Sequence, residues 1–325
     1  MNDRQTLYEY ILIGVLSVII LLFSVFITFT GEKKKLAVTF SKILEWPVPA
    51  PPKDPYPNLQ GLAMDPAGYV WAAEHEACRI EKFTHEGKSV MVLGKQGQGK
   101  LQFEKPDAVA VDSKGNIFVA DTWNHRIQKI SKSGQFLAWW GTKKWQIGVG
   151  DGEFFGPRGV AVDSAGNVYV TDTGNHRVQK FDNNGKFIKW WGGKGAENDR
   201  LNEPVGIAVD DKNFIYVADT HNRAIKKYNS DGGLVGKWPI EGWNELRITT
   251  MGFLACDGGG RVYASDNAAG ISSVYVFADN GAFVGEWKKD NSQNQAFFGP
   301  SGLAADLKGG IFVADSNNRI QRFSR

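Results

Sequence analysis

Apolar residues come in short runs along most of this chain, and each run is closed by a cluster of Gly, Asn or Asp. The plainest example lies between residues 154 and 192, with runs at Gly159–Val162, Val168–Val170, Arg177–Phe181 and Phe187–Trp191. The turn clusters between them are Asp163–Asn167, a polar corner Thr173–His176, and Asp182–Gly185. β-Branched and aromatic residues at this length and spacing predict four antiparallel strands in a meander.

The unit recurs. Its first runs end at Asp65, Asp112, Asp163, Asp210, Asp257 and Asp306, at intervals of 47, 51, 47, 47 and 49 residues. Nine residues after each comes a second acid: Glu74, Asp121, Asp172, Asp219, Asp266 and Asp315. Six units of four strands predict an all-β fold, a six-bladed β-propeller. The chain ends in the third strand of the sixth unit, at Arg319–Ser324. The segment Lys42-Ile43-Leu44-Glu45-Trp46 matches a fourth strand, Phe283-Val284-Gly285-Glu286-Trp287. Residues 42–46 are therefore expected to close the last blade beside residues 319–324 and remove its open edge.

The corners read Asn124-His125-Arg126 and Asn175-His176-Arg177, then Asn222-Arg223 and Asn318-Arg319. On these residues the chain resembles the NHL-repeat family over about residues 55–325. The resemblance implies a propeller of six repeats over 58–325, and a module that binds a protein, peptide or glycan without catalysis.

Ahead of the repeats, residues 47–57 hold six of the chain's twelve prolines and predict an extended strap. Residues 11–30 carry no charge. As a helix they would be roughly 30 Å long, the depth of a bilayer core. This predicts a transmembrane helix at 11–30, a tail at 1–10 and a juxtamembrane segment at 31–41. Lys33, Lys34, Lys35 and Lys42 lean towards a cytoplasmic propeller. Analogy with other anchored propellers leans to the exterior, and the two alternatives stay open.

Composition narrows the chemistry. A formal net charge of +3 is small for a nucleic-acid partner, which is not expected. Cys78 and Cys256 show no metal spacing. The sequence contains no Gly-x-Ser-x-Gly elbow and no Gly-rich phosphate loop between a strand and a helix.

Strand alternation puts the polar corners and the Phe-x-x-Pro segments leading into each unit on one face, where a rigid scaffold displays its loops. The pairs Asp121–Arg126, Asp172–Arg177, Asp219–Arg223 and Asp315–Arg319 recur and are read as the fixings of each corner. Trp46, Trp140, Trp191, Trp238 and Trp287 share outer-strand positions and are expected to pack between blades. Departures from the repeat mark the ligand-binding face: Glu74, His75, Glu76, Trp123, His125, His176, His221 and Asn267. No cofactor is expected on this reading. The alternative is a metal-dependent enzyme, with His75, His125, His176 and His221 converging on Zn²⁺. It follows the resemblance to the six-bladed lyase that cleaves peptidyl-α-hydroxyglycine with a histidine-held metal at its channel.

Overall fold

The computed structural model describes residues 41–49, 58–142, 146–240, 252–267, 272–288, 298–306 and 308–324. The expected tail, transmembrane helix and most of the juxtamembrane segment and strap lie outside these residues. Among the described residues no helix is long and apolar enough to cross a membrane.

The strands form six four-stranded antiparallel sheets, each a blade. Blade 3 is representative: Pro157–Val162, Val168–Asp172, Arg177–Phe181 and Phe187–Gly192 run in that order from the inside outwards. The strand alternation has a chemical cause at each end. The first acid of every unit accepts the backbone N–H four residues on, and outside blade 3 also the one two residues on, as Asp210 does from Lys212 and Phe214 at 3.0 and 2.8 Å. That closes the turn between strands one and two, the ordinary use of an Asx side chain. At the inner ring, neighbouring first strands approach backbone to backbone. A Cβ on Gly206 would stand 2.1 Å from the Gly252 carbonyl oxygen, so the close approach requires glycine.

Blades pack through clusters that each draw on two neighbours. One joins Ala161, Tyr169 and Val178 of blade 3 to Ile207, Ile215 and Tyr228 of blade 4. Outer-strand tryptophans complete these layers. Trp140 of blade 2 lies over Gly185 in a turn of blade 3, where φ is +83° and an added Cβ would stand 2.5 Å from the ring. Trp191 covers Gly232 and Trp238 covers Gly281 in the same way. Leu93 takes the place of the indole in blade 1, over Gly134.

The ring closes through the segment far ahead in sequence. Ser41–Pro47 runs antiparallel to Arg319–Ser324, with Trp46 opposite Ile320 and Lys42 opposite Phe323. Blade 6 thus takes its outermost strand from the opposite end of the chain. Trp46 then lies over Gly87 of blade 1, within 6.1 Å of Phe83 and 6.3 Å of Phe312, so its indole joins the two blades across the seam. At the end of blade 5, Trp287 meets Phe323 edge-on at 4.1 Å.

Trp46→Ala should cost about 3–5 kcal/mol, the usual range for truncating a buried tryptophan. Denaturant unfolding of the full chain measures it; a loss below about 1 kcal/mol would show that the seam does not depend on this ring.

Candidate functional site

Each corner is built around its second acid. In blade 3, Asp172 is fully buried and accepts Phe155 N–H at 2.7 Å, Asn175 Nδ2 at 2.9 Å, Arg177 Nε at 2.8 Å and Gln179 Nε2 at 2.9 Å. Asp121 repeats this set in blade 2 with Glu104 N–H, Asn124, Arg126 and Gln128. The remaining guanidinium N–H groups hold carbonyls of the preceding link, Arg177 reaching Gly150 and Glu153. Burial pushes the Asp121 and Asp172 carboxyls above their ordinary range and draws Arg126 below its own. Desolvation is the larger influence on each of these groups, and the hydrogen-bonded network around the acid fixes the geometry of the corner.

One pair differs from the sequence expectation. Arg223 does not bind Asp219; it occupies the left-handed position at the end of the corner, φ 53°, where blades 2 and 3 carry His125 and His176. The residue aligned with Arg126 and Arg177 is Ala224. The cation is supplied from two residues further along, where Lys226 Nζ meets Asp219 at 2.9 Å with both side chains buried. Arg319 does pair with Asp315, at 2.6 Å. In blade 1 the acid is Glu74, buried and bound by Arg79 at 2.8 Å and by Asn58 Nδ2 at 2.9 Å. Glu74 therefore serves the corner, as Asp121 and Asp172 do.

Counting from the acid, the four corner positions have separate duties. The first reaches the next blade: Thr122 donates to the Pro157 carbonyl at 2.8 Å and Thr173 to that of Pro204 at 2.7 Å. His75 holds this position in blade 1, its Nδ1 2.6 Å from Oδ1 of the buried Asp107. The third is the asparagine bound to the acid. The fourth is left-handed, and its imidazole ties back the next lead-in: Gly156 N–H donates to His125 Nδ1 and Glu203 N–H to His176 Nδ1, both at 3.0 Å. The second position, Trp123, Gly174 and His221 in blades 2 to 4, faces outwards.

The four histidines therefore stand at three different positions and do not form a ring. Zinc ligation can be tested on their donor atoms. With Nδ1 accepting a backbone N–H, the neutral ring carries its proton on Nε2, leaving His125 and His176 no lone pair for a metal. Among the described residues no three His, Cys, Asp or Glu side chains are grouped to hold an ion. The donor set does not fit zinc.

Over the corner of blade 3 the face opens into a pocket of about 560 Å³. It gathers Trp123, His125, His176 and His221 of the expected face, and adds Phe155, Arg158 and Glu203 from the lead-ins, and Ile147. Trp123 is 61% exposed and Phe155 38%. Gly174 admits the Phe155 ring to this wall: a Cβ there would stand 2.5 Å from it. Burial pulls both His125 and His176 below their ordinary value, with Lys194 adding to the effect at His176. His221 Nε2 lies 3.5 Å from Glu203.

Beside the pocket runs a line of contacts in which basic and acidic side chains alternate. Lys105 binds Glu76, Glu76 lies 3.5 Å from His75 Nε2, His75 binds Asp107, and Arg158 Nη1 is 3.8 Å from Asp107 Oδ2. Glu76 is thereby committed to blade 2. Asn267 lies in the corner of blade 5, beside Gly299 of the next lead-in. Arg158, Phe155 and Glu203 are not singled out by sequence reasoning. The usable signal is that the Phe-x-x-Pro lead-ins share the face, and that Arg158 stands where others carry Asp107, Val205 or Ser301.

Residues 103–130, 154–181 and 201–228 match the family model for the NHL repeat. The human NHL repeat-containing protein 3 is 34% identical over 121 residues, 34% of this chain and 34% of that protein. The peptidyl-glycine alpha-amidating monooxygenase of Mus musculus is 33% identical over 130 residues, 37% of this chain and 13% of that protein. The Drosophila melanogaster protein brain tumor is 35% identical over 102 residues, 31% and 10% respectively. These matches span about a third or less of each relative. A virginiamycin B lyase from Staphylococcus aureus superposes with a TM-score of 0.59 at 14% identity, over 88% of this chain and 100% of that one. A gluconolactonase from Xanthomonas campestris superposes at 0.59 with 16% identity, over 83% and 88%. At such identities the likeness is one of fold.

The two staples give a pH dependence with a defined sign. A histidine whose folded value is depressed supplies stability above its unfolded value, 6.5, and loses it as pH falls through the folded value. The protonated Nδ1 would also confront a backbone N–H. The melting temperature should therefore fall as pH drops from 6.5, and fall less in the double variant His125→Asn/His176→Asn, since asparagine tolerates the left-handed backbone. Parallel pH profiles for the two proteins would refute this.

Proposed function

We propose that this NHL-repeat propeller is a non-catalytic binding platform, recognising a protein, peptide or glycan through the pocketed face. The observation that carries the reading is the pocket over Gly174, whose rim exposes Trp123 and Phe155 beside Arg158. A concavity lined by aromatic and aliphatic side chains with a few placed polar groups is the usual make-up of a ligand site. Exposed Trp flanked by Arg is the composition of interface anchors. Trp123, Phe155 and Ile147 are exposed together around one pocket, and an apolar patch rimmed by polar groups is the kind of surface that meets a partner.

The lyase reading rests on the amidating relatives and on the histidines. It calls for a metal, and the Nε2–H tautomers of His125 and His176 count against one. In the platform reading the apolar run at 11–30 tethers the propeller to a bilayer.

Panning random peptides on the full chain should enrich sequences whose binding weakens at least tenfold on Trp123→Ala; no enrichment, or enrichment blind to that change, would sink the platform. Elemental analysis of the purified chain should find well under one zinc per molecule, and about one equivalent, lost on His176→Ala, would restore the lyase. Alkaline carbonate should leave the full chain in the membrane pellet and release a chain lacking residues 1–36.

A further inference from the structure

Four lead-ins hold a residue in the left-handed region directly before a proline: Lys105 at φ 51°, Gly156 at 59°, Glu203 at 48° and Gly299 at 58°. Glycine takes this conformation freely, whereas a larger side chain is held there against strain. Lys105 has a structural reason to be there, since its ammonium binds Glu76 of the neighbouring blade. Glu203 has much less of one. Its cationic neighbour, His221 Nε2, stands 3.5 Å off, its side chain is 41% exposed, and among the described residues nothing donates a hydrogen bond to its carboxylate. That carboxylate lines the pocket, on a backbone fixed by the bond from Glu203 N–H to His176 Nδ1.

The same pocket holds donors. His125 and His176 each keep an Nε2–H, because Nδ1 accepts a lead-in N–H. Thr220 adds a hydroxyl whose bond, to the Ala218 carbonyl, is long at 3.4 Å, whereas Thr122 and Thr173 reach the next blade at 2.8 and 2.7 Å. Apart from the histidines, the ionised side chains of the lining are Glu203 and Arg158, which Asp107 engages, and their charges balance. A lining of balanced charge that both donates and accepts suits an uncharged ligand rich in hydroxyls, since each hydroxyl also does both. A carboxylate takes two adjacent hydroxyls at once, while successive N–H groups of an extended peptide alternate in direction. The walls agree, with Trp123 and Phe155 open to solvent beside Ile147. A sugar ring whose hydroxyls are all equatorial carries its C–H bonds axially, so both faces are apolar and meet the negative face of an aromatic ring. We propose that the pocket binds a neutral, β-linked, glucose-type oligosaccharide. Its hydroxyl edge meets Glu203, the Nε2–H groups of His125 and His176, and Thr220, and its ring faces lie on Trp123 and Phe155. This rests on the platform reading and names its ligand as a glycan.

The test uses the full chain, in a detergent without a sugar headgroup, with cellotetraose and its α-linked counterpart maltotetraose, read by calorimetry and saturation-transfer NMR. Cellotetraose should bind with a Kd of about 1 mM or tighter, its axial ring protons receiving the saturation. Maltotetraose, whose chain curls and offers no continuous flat face, should bind about tenfold more weakly. Trp123→Ala should weaken cellotetraose binding by about tenfold or more. Glu203→Gly should weaken it as much while the melting temperature holds or rises, because glycine suits the left-handed backbone. Undiminished binding by the Glu203→Gly chain would overturn the site. A melting temperature that falls instead would make Glu203 part of the frame and overturn its assignment. Absence of cellotetraose binding in a chain that still captures peptides through Trp123 would overturn the glycan and leave the platform standing, whereas failure of both ligands would remove both.

Discussion

A buried carboxylate at the end of each second strand is the constraint on which the rest of this propeller depends. Asp121 and Asp172 each gather a lead-in N–H, an asparagine, an arginine and a glutamine, so four donors from the lead-in and from the corner with its following strand are fixed by two oxygens. The carboxylate pays a desolvation cost that only a full set of donors offsets. Where one donor changes, another is found: Lys226 replaces the cation of blade 4, and Asn58 replaces the missing asparagine of blade 1. The chemistry of the node is kept even where its residues are not.

Between blades the frame relies on rings over glycine. An indole from one outer strand covers a turn of the next blade, and the glycine beneath it is needed both for its positive φ and for its missing Cβ. The covered indoles of Trp46, Trp140, Trp191 and Trp238 leave Nε1 buried without a hydrogen-bond partner. The packing is worth that cost because a buried tryptophan contributes more area than any other side chain. The seam between blades 6 and 1 uses the same device, with Trp46 carried by a strand some 270 residues distant from its partner, Arg319 to Ser324.

Much of the fold was legible because its parts repeat. Asp intervals near 47 residues, alternating runs and the recurring corners follow from local turn chemistry, which a sequence displays directly. The register within a corner was less legible. Asp219-Thr220-His221-Asn222-Arg223 looks like an acid paired with its arginine, but counting from the left-handed residue makes Arg223 the counterpart of His176. Likewise the four histidines fall in successive corners yet differ in phase, and the atom each ring offers depends on which backbone N–H its Nδ1 accepts. The pocket was hidden for a third reason. One of its walls, the Phe155 ring, is admitted where a side chain is missing, at Gly174, in the blade that otherwise fits the repeat best.

The second corner position in blades 2 to 4 has a consequence for how such a face changes over time. Its neighbours on either side are committed through their side chains, one to the next blade and one to the buried acid, whereas Trp123, Gly174 and His221 are tied to the lead-ins through the backbone N–H, at the carbonyls of Glu104, Phe155 and Asn202. Indole, hydrogen and imidazole therefore alternate there on one unaltered backbone, a 3-10 turn followed by a left-handed residue. At Trp123 and His221 the side chain can change without altering that backbone, so a lineage can explore new ligands there one residue at a time, whereas Gly174 is held to glycine by the Phe155 ring and carbonyl beside it.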